Sequence, residues 1–411
     1  MSEAIKINGV TTIFEKMPEM KTVSVGIWVK AGSIYEDEEI NGVSHFIEHM
    51  LFKGTKNMTC RQIAEKTDDI GAEINAYTEK DCTCYYATVL DVHQLAALNI
   101  LLDMLCNPLF SQEDTEKERE VIIEEILSSL DDPEDVCSQS ASSIYFKETP
   151  LERQVLGTLK SVKNIDENIL KNYYFKRYTA ENTVIVAAGN IDEEKITALL
   201  REKLTLNGKK EEKETIVKPH GICEVRFIKR KIKQAHLCLC FPAYSLQDER
   251  KYAMAQFSNI LGGNMSSRLF QKIREEEGLC YSVYSYDSLY KAAGMLSVYA
   301  AFNMKNAKKT IRLIKNEISK IRRDGVSEKE LMRSAEQLKS ALVLSYETPA
   351  QRMEAIGRNV ILTGEIQDER KMLKAINAVS TEDVYKAAQL IDEEKLCGAV
   401  VGKNVRKNMF I

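Results

Sequence analysis

Two histidines and a glutamate stand close together near the start of the chain, in the run His45-Phe46-Ile47-Glu48-His49. If the run is helical, at about 100° per residue, His45, Glu48 and His49 share one face. Two imidazoles four positions apart can bind one Zn²⁺, and the carboxylate between them can reach a water on that metal. The alternative is a surface helix that happens to carry these residues, but the chain has only 5 His. The spacing therefore favours a metal site.

A zinc hydrolase also needs a third protein ligand and an open coordination position. The acidic stretch 111–130 predicts a helix that can supply the ligand. Glu125 lies at the border of the apolar stripe of this helix, and Glu118 lies seven positions before it on the same face. The stripe consists of Ile122, Ile123, Ile126, Leu127 and Leu130. For Glu120 and Glu124 we favour the alternative, a solvated helix charge.

The composition is that of an ordinary globular protein. The chain has 411 residues, of which 44% are hydrophobic and 29% charged, and its net charge is −4. A nucleic-acid-binding protein usually shows a clustered basic excess, so this class is disfavoured. The sequence shows neither an apolar run of membrane-spanning length nor a secretory signal. We therefore expect a cytoplasmic protein that does not interact with membranes.

The 10 cysteines include two Cys-x-Cys pairs, Cys82/Cys84 and Cys238/Cys240. Both pairs lie in strand-like runs, where residues two apart share a face. In a reducing compartment such cysteines are usually small buried side chains. We favour this interpretation over a disulfide or a metal site.

The two halves of the chain resemble each other. Residues 31–33 and 243–245 each follow a strand pattern and precede an acidic turn and a helix, 212 positions apart. Residues 129–133 and 345–349 are similar at a spacing of 216 positions. Two similar segments at nearly one spacing indicate an internal duplication.

The duplication offers a check on the metal hypothesis. The second-half counterparts of positions 45, 48, 49 and 125 are Phe257, Ile260, Leu261 and Ala341. None of these side chains can bind a metal. We expect one copy to have kept the metal site and the other to have apolar core side chains in its place.

The charged stretch 207–220, with a Gly near its start and a Pro near its end, predicts a linker. It separates an N-terminal domain with the metal site, 1–206, from a homologous C-terminal domain without metal ligands, 221–411. Strands and helices are interspersed in both halves. We predict an α+β fold of two homologous domains, each a largely antiparallel sheet with helices packed on one face.

Two distant segments resemble a known family. Residues 42–55, Gly-Val-Ser-His-Phe-Ile-Glu-His-Met-Leu-Phe-Lys-Gly-Thr, are similar to the zinc-binding segment of pitrilysin-type zinc metallopeptidases. This inverzincin family includes insulysin and the mitochondrial processing peptidase. Residues 118–125 resemble its second metal-binding segment, and Glu125 follows His49 by 76 positions, as the family's third ligand does.

The resemblance implies a role for each matching residue. His45, His49 and Glu125 would bind one Zn²⁺ per chain. Glu48 would be the general base that takes a proton from the bound water, and Glu118 would be an auxiliary acidic residue near the metal. These roles agree with the chemistry of zinc, which acidifies bound water and polarises a carbonyl group.

The segment 262–270, followed by Arg274 and Tyr281, resembles the family's substrate-contacting segment. The resemblance implies that Arg274 and Tyr281 contact the substrate backbone and help to stabilise the tetrahedral oxyanion. From the residues alone, Arg274 would be a surface residue and Tyr281 a strand residue packed in the sheet.

A substrate-binding strand is implied at residues 71–78. In the family the matching Asn-Ala-x-Thr strand, here Asn75-Ala76-Tyr77-Thr78, is a sheet edge that pairs with an extended peptide. In such pairing, main-chain hydrogen bonds give affinity and pockets for alternate side chains give specificity. An ordinary hairpin strand is the alternative.

The resemblance thus implies a zinc-dependent endopeptidase for unfolded peptides, precursor extensions or leader peptides. Single-chain relatives enclose a chamber with four such domains, whereas this chain has two, so we expect a second chain. We favour a homodimer, in which Arg274 and Tyr281 reach the zinc site of the opposite subunit, because both segments are present in one chain. A heterodimer with a related chain is one alternative. A non-catalytic chamber or scaffold subunit is another, although such relatives usually lose metal-site residues.

Overall fold

The computed structural model describes residues 3–206 and 223–407, which form two compact units. Unit 1 comprises residues 3–126, 153–206 and 343–368, and unit 2 comprises 127–152, 223–342 and 369–407. The predicted linker, 207–220, lies outside the described residues.

The strands are β1 (Ala4–Ile7), β2 (Val10–Lys16), β3 (Thr22–Val29), β4 (Glu73–Thr78), β5 (Thr83–Leu90), β6 (Thr183–Gly189), β7 (Val225–Lys229), β8 (Gln234–Ala243), β9 (Cys280–Leu289), β10 (Gly294–Asn303) and β11 (Cys397–Gly402). The α-helices are α1 (Val43–Leu51), α2 (Cys60–Asp69), α3 (Gln94–Cys106), α4 (Gln112–Asp131), α5 (Pro133–Tyr145), α6 (Leu159–Asn164), α7 (Glu167–Arg177), α8 (Glu193–Lys203), α9 (Lys251–Gly262), α10 (Ala307–Asp324), α11 (Glu328–Leu344), α12 (Pro349–Thr363), α13 (Glu369–Ala378) and α14 (Thr381–Ala388). A π-helix spans Phe270–Glu276.

The sheet of unit 1 has the strand order β1-β2-β6-β3-β5-β4. The pair β2/β6 is parallel, and the other neighbouring strands are antiparallel. Among the described residues, β4 has a strand neighbour on one side alone. It is therefore an edge strand, which can accept a further strand.

Unit 1 is covered by helices on both faces of its sheet, as β3 shows. Successive side chains of a strand point to opposite faces. Val25 and Ile27 lie in the larger core, which includes Phe46 of α1 and Leu98 of α3. Trp28 points to the other face, which is covered by α12 from the second half of the chain.

The sheet of unit 2 has the strand order β7-β11-β8-β10-β9. Its pair β7/β11 is parallel and its other neighbours are antiparallel. This order and these directions match β2-β6-β3-β5-β4 of unit 1, strand for strand. The match supports the predicted duplication, and the predicted α+β fold of two largely antiparallel sheets is confirmed.

The counterparts of the metal-site residues follow the prediction in part. Phe257, Ile260 and Leu261 are buried in α9 of unit 2, so apolar core replaces the two imidazoles and the carboxylate of the first copy. Ala341, the counterpart of Glu125, is exposed. The expectation that apolar core replaces the metal residue was wrong at this position. Glu125 is itself exposed, so its replacement by alanine leaves no buried space to fill.

Each unit contains one helix from the other half of the sequence. Helix α12 packs on β3 and β6 of unit 1, and α5 packs on β8 and β11 of unit 2. Both helices begin with a proline, Pro133 or Pro349, 216 positions apart. The compact units therefore exchange a helix between the two predicted domains, 1–206 and 221–411.

All ten cysteines are free, and both Cys-x-Cys pairs are buried. Burial raises the pKa of Cys84 and keeps its thiol neutral. None of the described helices is both long and apolar enough to cross a membrane.

The contact between α12 and β3 is centred on Trp28, the single tryptophan of the chain. Its fully buried indole ring lies between Gly26 of its own strand and Gly357 of α12. A Cβ atom at position 357 would lie 2.2 Å from the ring, and one at position 26 would lie 2.3 Å from it. The two glycines thus provide the space for the ring.

We predict that Gly357→Ala destabilises unit 1. Overpacking of a core usually costs about 1–3 kcal/mol, which exceeds the gain in helix propensity of about 1 kcal/mol. Denaturation followed by tryptophan fluorescence should show a lower midpoint and a red-shifted native emission. In a Trp28→Phe background, followed by circular dichroism, the same substitution should cost less, because the smaller ring leaves room for the methyl group. An equal cost in both backgrounds would contradict this account.

Candidate metal centre

The helix that carries the two histidines begins where the chain turns sharply at Gly42. This residue has φ of 97°, and a Cβ atom there would lie 2.7 Å from the carbonyl oxygen of Leu156. Only glycine fits both conditions without strain. The turn directs α1 into the core, where most of its residues are buried.

A buried carboxylate satisfies the N-terminus of α1. The Oε2 atom of Glu36 accepts hydrogen bonds from the backbone N–H of Gly42 (2.7 Å) and from the Asn41 side chain (2.7 Å), and Oε1 accepts from the N–H of Ser44 (2.9 Å). An anion here meets the free N–H groups and the positive end of the helix dipole. Burial raises the pKa of Glu36, although these hydrogen bonds oppose the shift. Glu36 belongs to no motif and lies outside the helix it caps, so the sequence alone does not single it out.

His45, His49 and Glu125 converge on one point. The Nε2 atoms of the two histidines are 3.3 Å apart, and Oε2 of Glu125 lies 3.6 Å from His45 Nε2 and 3.5 Å from His49 Nε2. Ligand atoms bound to tetrahedral Zn²⁺ at about 2.0–2.2 Å lie about 3.3–3.6 Å from one another. The three donor atoms therefore have the spacing of three corners of a zinc tetrahedron. Glu125 is exposed, so the fourth corner can open to solvent.

The contact made by one ring nitrogen of His49, Nδ1, leaves the other, Nε2, as the atom that can bind a metal. His49 Nδ1 lies 2.8 Å from Oε1 of buried Glu118, whose Oε2 lies 2.5 Å from Lys53 Nζ. When Nδ1 carries the proton and donates to Glu118, Nε2 presents a lone pair toward Glu125 and His45. Carboxylate partners of this kind orient metal-binding histidines.

The charges of the site show why a cation suits it. Burial and the neighbouring His49 lower the pKa of His45 to about 4, so this ring is neutral. Burial alone would lower the pKa of His49 as well, but Glu118 and Glu125 outweigh it and raise the pKa to about 9. A proton on His49 thus balances the two carboxylates where no metal is bound. The donor set, two imidazoles and one carboxylate, fits Zn²⁺.

The helix α4 supplies Glu118 and Glu125 as predicted, but its apolar stripe is narrower than expected. Ile122 and Ile126 are buried, whereas Leu127 and Leu130 are exposed. The stripe ends where the chain passes from unit 1 to unit 2. The prediction for these two leucines was wrong, because the periodic pattern continues beyond the core that it covers.

Glu48 is half-buried on α1 and accepts a hydrogen bond from the hydroxyl of Thr78, at the end of β4. Burial raises the pKa of Glu48 above its ordinary value, while the bond from Thr78 opposes the shift. A carboxylate with a raised pKa can exchange a proton with water more readily than a surface carboxylate can.

The four residues of the predicted substrate strand lie in β4. Glu79 N–H donates to Cys82 C=O at 2.8 Å, just beyond the strand pair β4/β5. Hydrogen-bonded pairs alternate with non-hydrogen-bonded pairs along an antiparallel ladder. The main-chain N–H and C=O groups of Tyr77 and Asn75 therefore point toward β5. The main-chain groups of Ala76 and Thr78 then point to the open edge.

Arg274 and Tyr281 belong to unit 2. The guanidinium of Arg274 lies over the rings of Phe270 and Tyr281, 4.7 Å from the centre of each. Tyr281 is in the edge strand β9 and is 74% exposed. The expectation of a tyrosine packed in the sheet was wrong, and its hydroxyl is accessible to another molecule.

Comparison with known proteins extends the family resemblance over the chain. Residues 11–159 match the family described as Insulinase (Peptidase family M16), and residues 164–338 match the one described as Peptidase M16 inactive domain. Uncharacterised zinc proteases of Bacillus subtilis, Rickettsia felis and Streptomyces coelicolor are 38%, 36% and 34% identical to it. These alignments cover 96%, 97% and 96% of this chain, and 96%, 96% and 88% of the relatives.

The chain belongs to peptidase family M16. All candidate metal residues lie in the segment that matches the insulinase-type peptidases, whereas Arg274 and Tyr281 lie in the segment that matches the inactive domain. The predicted family is therefore confirmed.

Two solved structures share the M16 fold over nearly the whole chain. A protease from Helicobacter pylori has a TM-score of 0.90 at 16% identity, with 98% of this chain and 99% of that one covered. A Pseudomonas fluorescens structure described as a peptidase M16 inactive domain has a TM-score of 0.90 at 20% identity, with 98% of both chains covered. At such identities the likeness concerns the fold.

We predict that Glu118→Gln weakens zinc binding by about 10- to 100-fold, because the amide holds the Nδ1 proton of His49 less firmly than the carboxylate does. Competition with a chromophoric chelator measures this affinity. Glu124→Gln, an exposed residue of the same helix, is the matched control and should bind zinc like the wild type. Equal affinities of Glu118→Gln and Glu124→Gln would show that Glu118 does not support His49.

Proposed function

We propose that this M16 chain is a zinc-dependent endopeptidase that hydrolyses unfolded peptides, including precursor or leader peptides. The observation that carries the proposal is the convergence of His45, His49 and Glu125 at zinc spacing, with Glu48 on the same helix as the two histidines. Relatives of this chain are named as zinc proteases, which supports the same chemistry.

Zn²⁺ held by His45, His49 and Glu125 would acidify an attacking water and polarise the scissile carbonyl. Glu48 would take the proton of that water and pass it to the leaving amine, as a general base and then a general acid. The hydroxyl of Thr78 holds Glu48 in one orientation during this transfer. Glu118 would keep His49 in the tautomer that presents Nε2.

The substrate class follows from the edge strand β4. A peptide can pair with the outward main-chain groups of Ala76 and Thr78 only when it is extended. A folded protein rarely offers a free strand, because native proteins protect their sheet edges. We therefore expect cleavage of flexible peptides rather than of folded domains.

We predict that Glu48→Gln lowers kcat/KM by about 10²- to 10⁴-fold, the usual contribution of general acid–base catalysis. Zinc per chain should stay near that of the wild type, because Glu48 is not a proposed ligand. Elemental analysis and cleavage of a quenched fluorescent peptide library, on the same preparations, measure both quantities. Removal of zinc from the wild type should abolish cleavage, and its return should restore it.

The same experiment decides between the enzyme and a non-catalytic chamber or scaffold subunit. The match of residues 164–338 to an inactive domain is the observation that favours the scaffold. That segment contains none of the candidate metal residues, which all lie within 11–159. Failure to bind zinc even after reconstitution would favour the scaffold.

We also propose that two copies of the chain form a homodimer in which Arg274 and Tyr281 act at the zinc site of the opposite subunit. Tyr281 is exposed and the guanidinium of Arg274 lies over its ring, so the phenol hydroxyl and the guanidinium can both donate to a developing oxyanion. A heterodimer with a related chain is the alternative. The mass of the protein in solution, when expressed alone, separates these two assemblies.

Shared sites predict complementation. His45→Ala and Tyr281→Phe homodimers should each be nearly inactive, whereas a mixture should regain activity, because one of the two sites in a mixed dimer has both functional residues. The measurement is peptide cleavage before and after subunit exchange, with exchange confirmed by differently tagged chains. Mixed dimers without recovered activity would place Tyr281 at the site of its own chain or at none.

A further inference from the structure

The edge strand β4 is contacted from both faces by side chains that lie next to each other in sequence. Side chains of a strand alternate between the faces. Thr78 points to one face and donates to Glu48 of α1. Tyr77 points to the other face, where its hydroxyl donates to Glu354 of α12. The strand that offers its open edge to a peptide is therefore held between the helix of the metal site and the exchanged helix.

The contact between Tyr77 and Glu354 is part of a half-buried series of hydrogen bonds. The indole Nε1 of Trp28 donates to the hydroxyl of Tyr77 at 3.2 Å, and this hydroxyl donates to Oε1 of Glu354. The direction is determined, because an indole N–H can only donate and an ionised carboxylate can only accept. Burial raises the pKa of Glu354, and the bond from Tyr77 acts against the shift. Both side chains are thus partly shielded from water, and the hydrogen bond satisfies a polar group on each.

A second bond, one helical turn along α12, contacts the end of the same strand. The guanidinium of Arg358 donates to Oε2 of Glu79 at 3.1 and 2.8 Å. Glu79 directly follows Thr78, which ends β4. Residues four apart share one face of a helix. From one face of α12, Glu354 therefore contacts β4 and Arg358 contacts the residue that follows it.

An edge strand needs such support more than an inner strand does. In the described part of the chain, β5 is the one strand that pairs with β4. Strand edges and loops usually open locally at a lower free energy than the centre of a sheet. A peptide that pairs with β4 binds well only if the outward groups of Ala76 and Thr78 stay in place. Contacts from α12 supply this rigidity without occupying the open edge.

We propose that Glu354 is a positioning residue, which holds the substrate strand β4 through the hydroxyl of Tyr77. The inference rests on the proposed peptidase function. It assigns to α12, a helix from the half without metal residues, a part in binding the peptide. Glu354 acts on the ground-state binding of the peptide, whereas Thr78 acts on the general base.

Unit 2 offers a matched control. There the hydroxyl of Tyr284, in the edge strand β9, donates to Glu134 of the exchanged helix α5. This is the same pair of residue types, between the same two kinds of element, in the unit without the metal ligands. Tyr284→Phe removes a bond of the same kind and leaves β4 untouched.

The test uses the full-length, zinc-loaded protein and four variants, Tyr77→Phe, Glu354→Ala, Glu354→Gln and Tyr284→Phe. For each, kcat and KM are measured with an extended quenched fluorescent peptide, and zinc per chain is determined. Hydrogen–deuterium exchange of residues 73–78 is followed by mass spectrometry on the same samples. The exchange readout needs no catalytic activity.

We expect Tyr77→Phe and Glu354→Ala to raise KM by about five- to tenfold, the effect of losing one hydrogen bond of ordinary strength, with kcat within about twofold of the wild type. Exchange of residues 73–78 should be about fivefold faster in both, at unchanged zinc content. Glu354→Gln should stay near the wild type, because its amide oxygen can still accept from Tyr77. Exchange of residues 73–78 should also stay near the wild type in Tyr284→Phe, whose kinetics do not serve as the control because β9 carries Tyr281.

Three results would overturn the inference: unchanged KM and exchange in Tyr77→Phe and Glu354→Ala, a loss in kcat at constant KM in these two variants, or an equally fast exchange of residues 73–78 in Tyr284→Phe. If the wild type cleaves no peptide, the proposed function fails and exchange alone decides. Faster exchange in Tyr77→Phe and Glu354→Ala, but not in Glu354→Gln, would then support the positioning role. Equal exchange in all samples would refute it.

Discussion

Compensation of buried charge around the helix α1 is the constraint on which the rest of the site depends. This helix brings two imidazoles and Glu48 into a largely apolar unit, where unpaired polar groups are costly. The N–H groups at its start are bound by the carboxylate of Glu36, and His49 is bound by Glu118, which Lys53 neutralises in part. These partners leave the two Nε2 atoms facing each other and Oε2 of Glu125, so a cation at this point would complete the site.

The duplicated unit shows what the same fold contains when this constraint is absent. In α9, Phe257, Ile260 and Leu261 stand where α1 has His45, Glu48 and His49, and all three are buried. The sheet order and the strand directions are nevertheless the same in both units. The fold is therefore specified by the alternating strands and the helix faces, while the metal ligands are changes at a few positions. Their cost in buried charge is confined to one unit.

The fold and the cluster of His45, His49 and Glu125 could be predicted because they follow from local periodicity and spacing. His45 and His49 are one helical turn apart, and the strands alternate clearly, so the short-range pattern was sufficient. The exchange of α5 and α12 was not predictable, because helix periodicity shows which face is apolar and not which sheet covers it. Glu36 and Glu354 were missed for a related reason. Glu354 acts on a strand 277 positions away in sequence, Glu36 lies outside the helix that it caps, and a single glutamate has no pattern.

The exchange of helices connects the two halves at the level of the site. In the proposed peptidase, strand β4 would pair with a peptide at its open edge, while Thr78 on one face donates to Glu48 and Tyr77 on the other face donates to Glu354 of α12. A strand cannot keep one edge open for a peptide and also pair with another strand on that side. The support that is missing at the open edge therefore has to come from side-chain contacts on the two faces of the strand. Side-chain bonds from Glu48 and Glu354 meet this requirement from two helices, one in each half of the sequence. The half of the sequence without the candidate metal residues is therefore not dispensable, because its helix α12 packs on the sheet that carries β4.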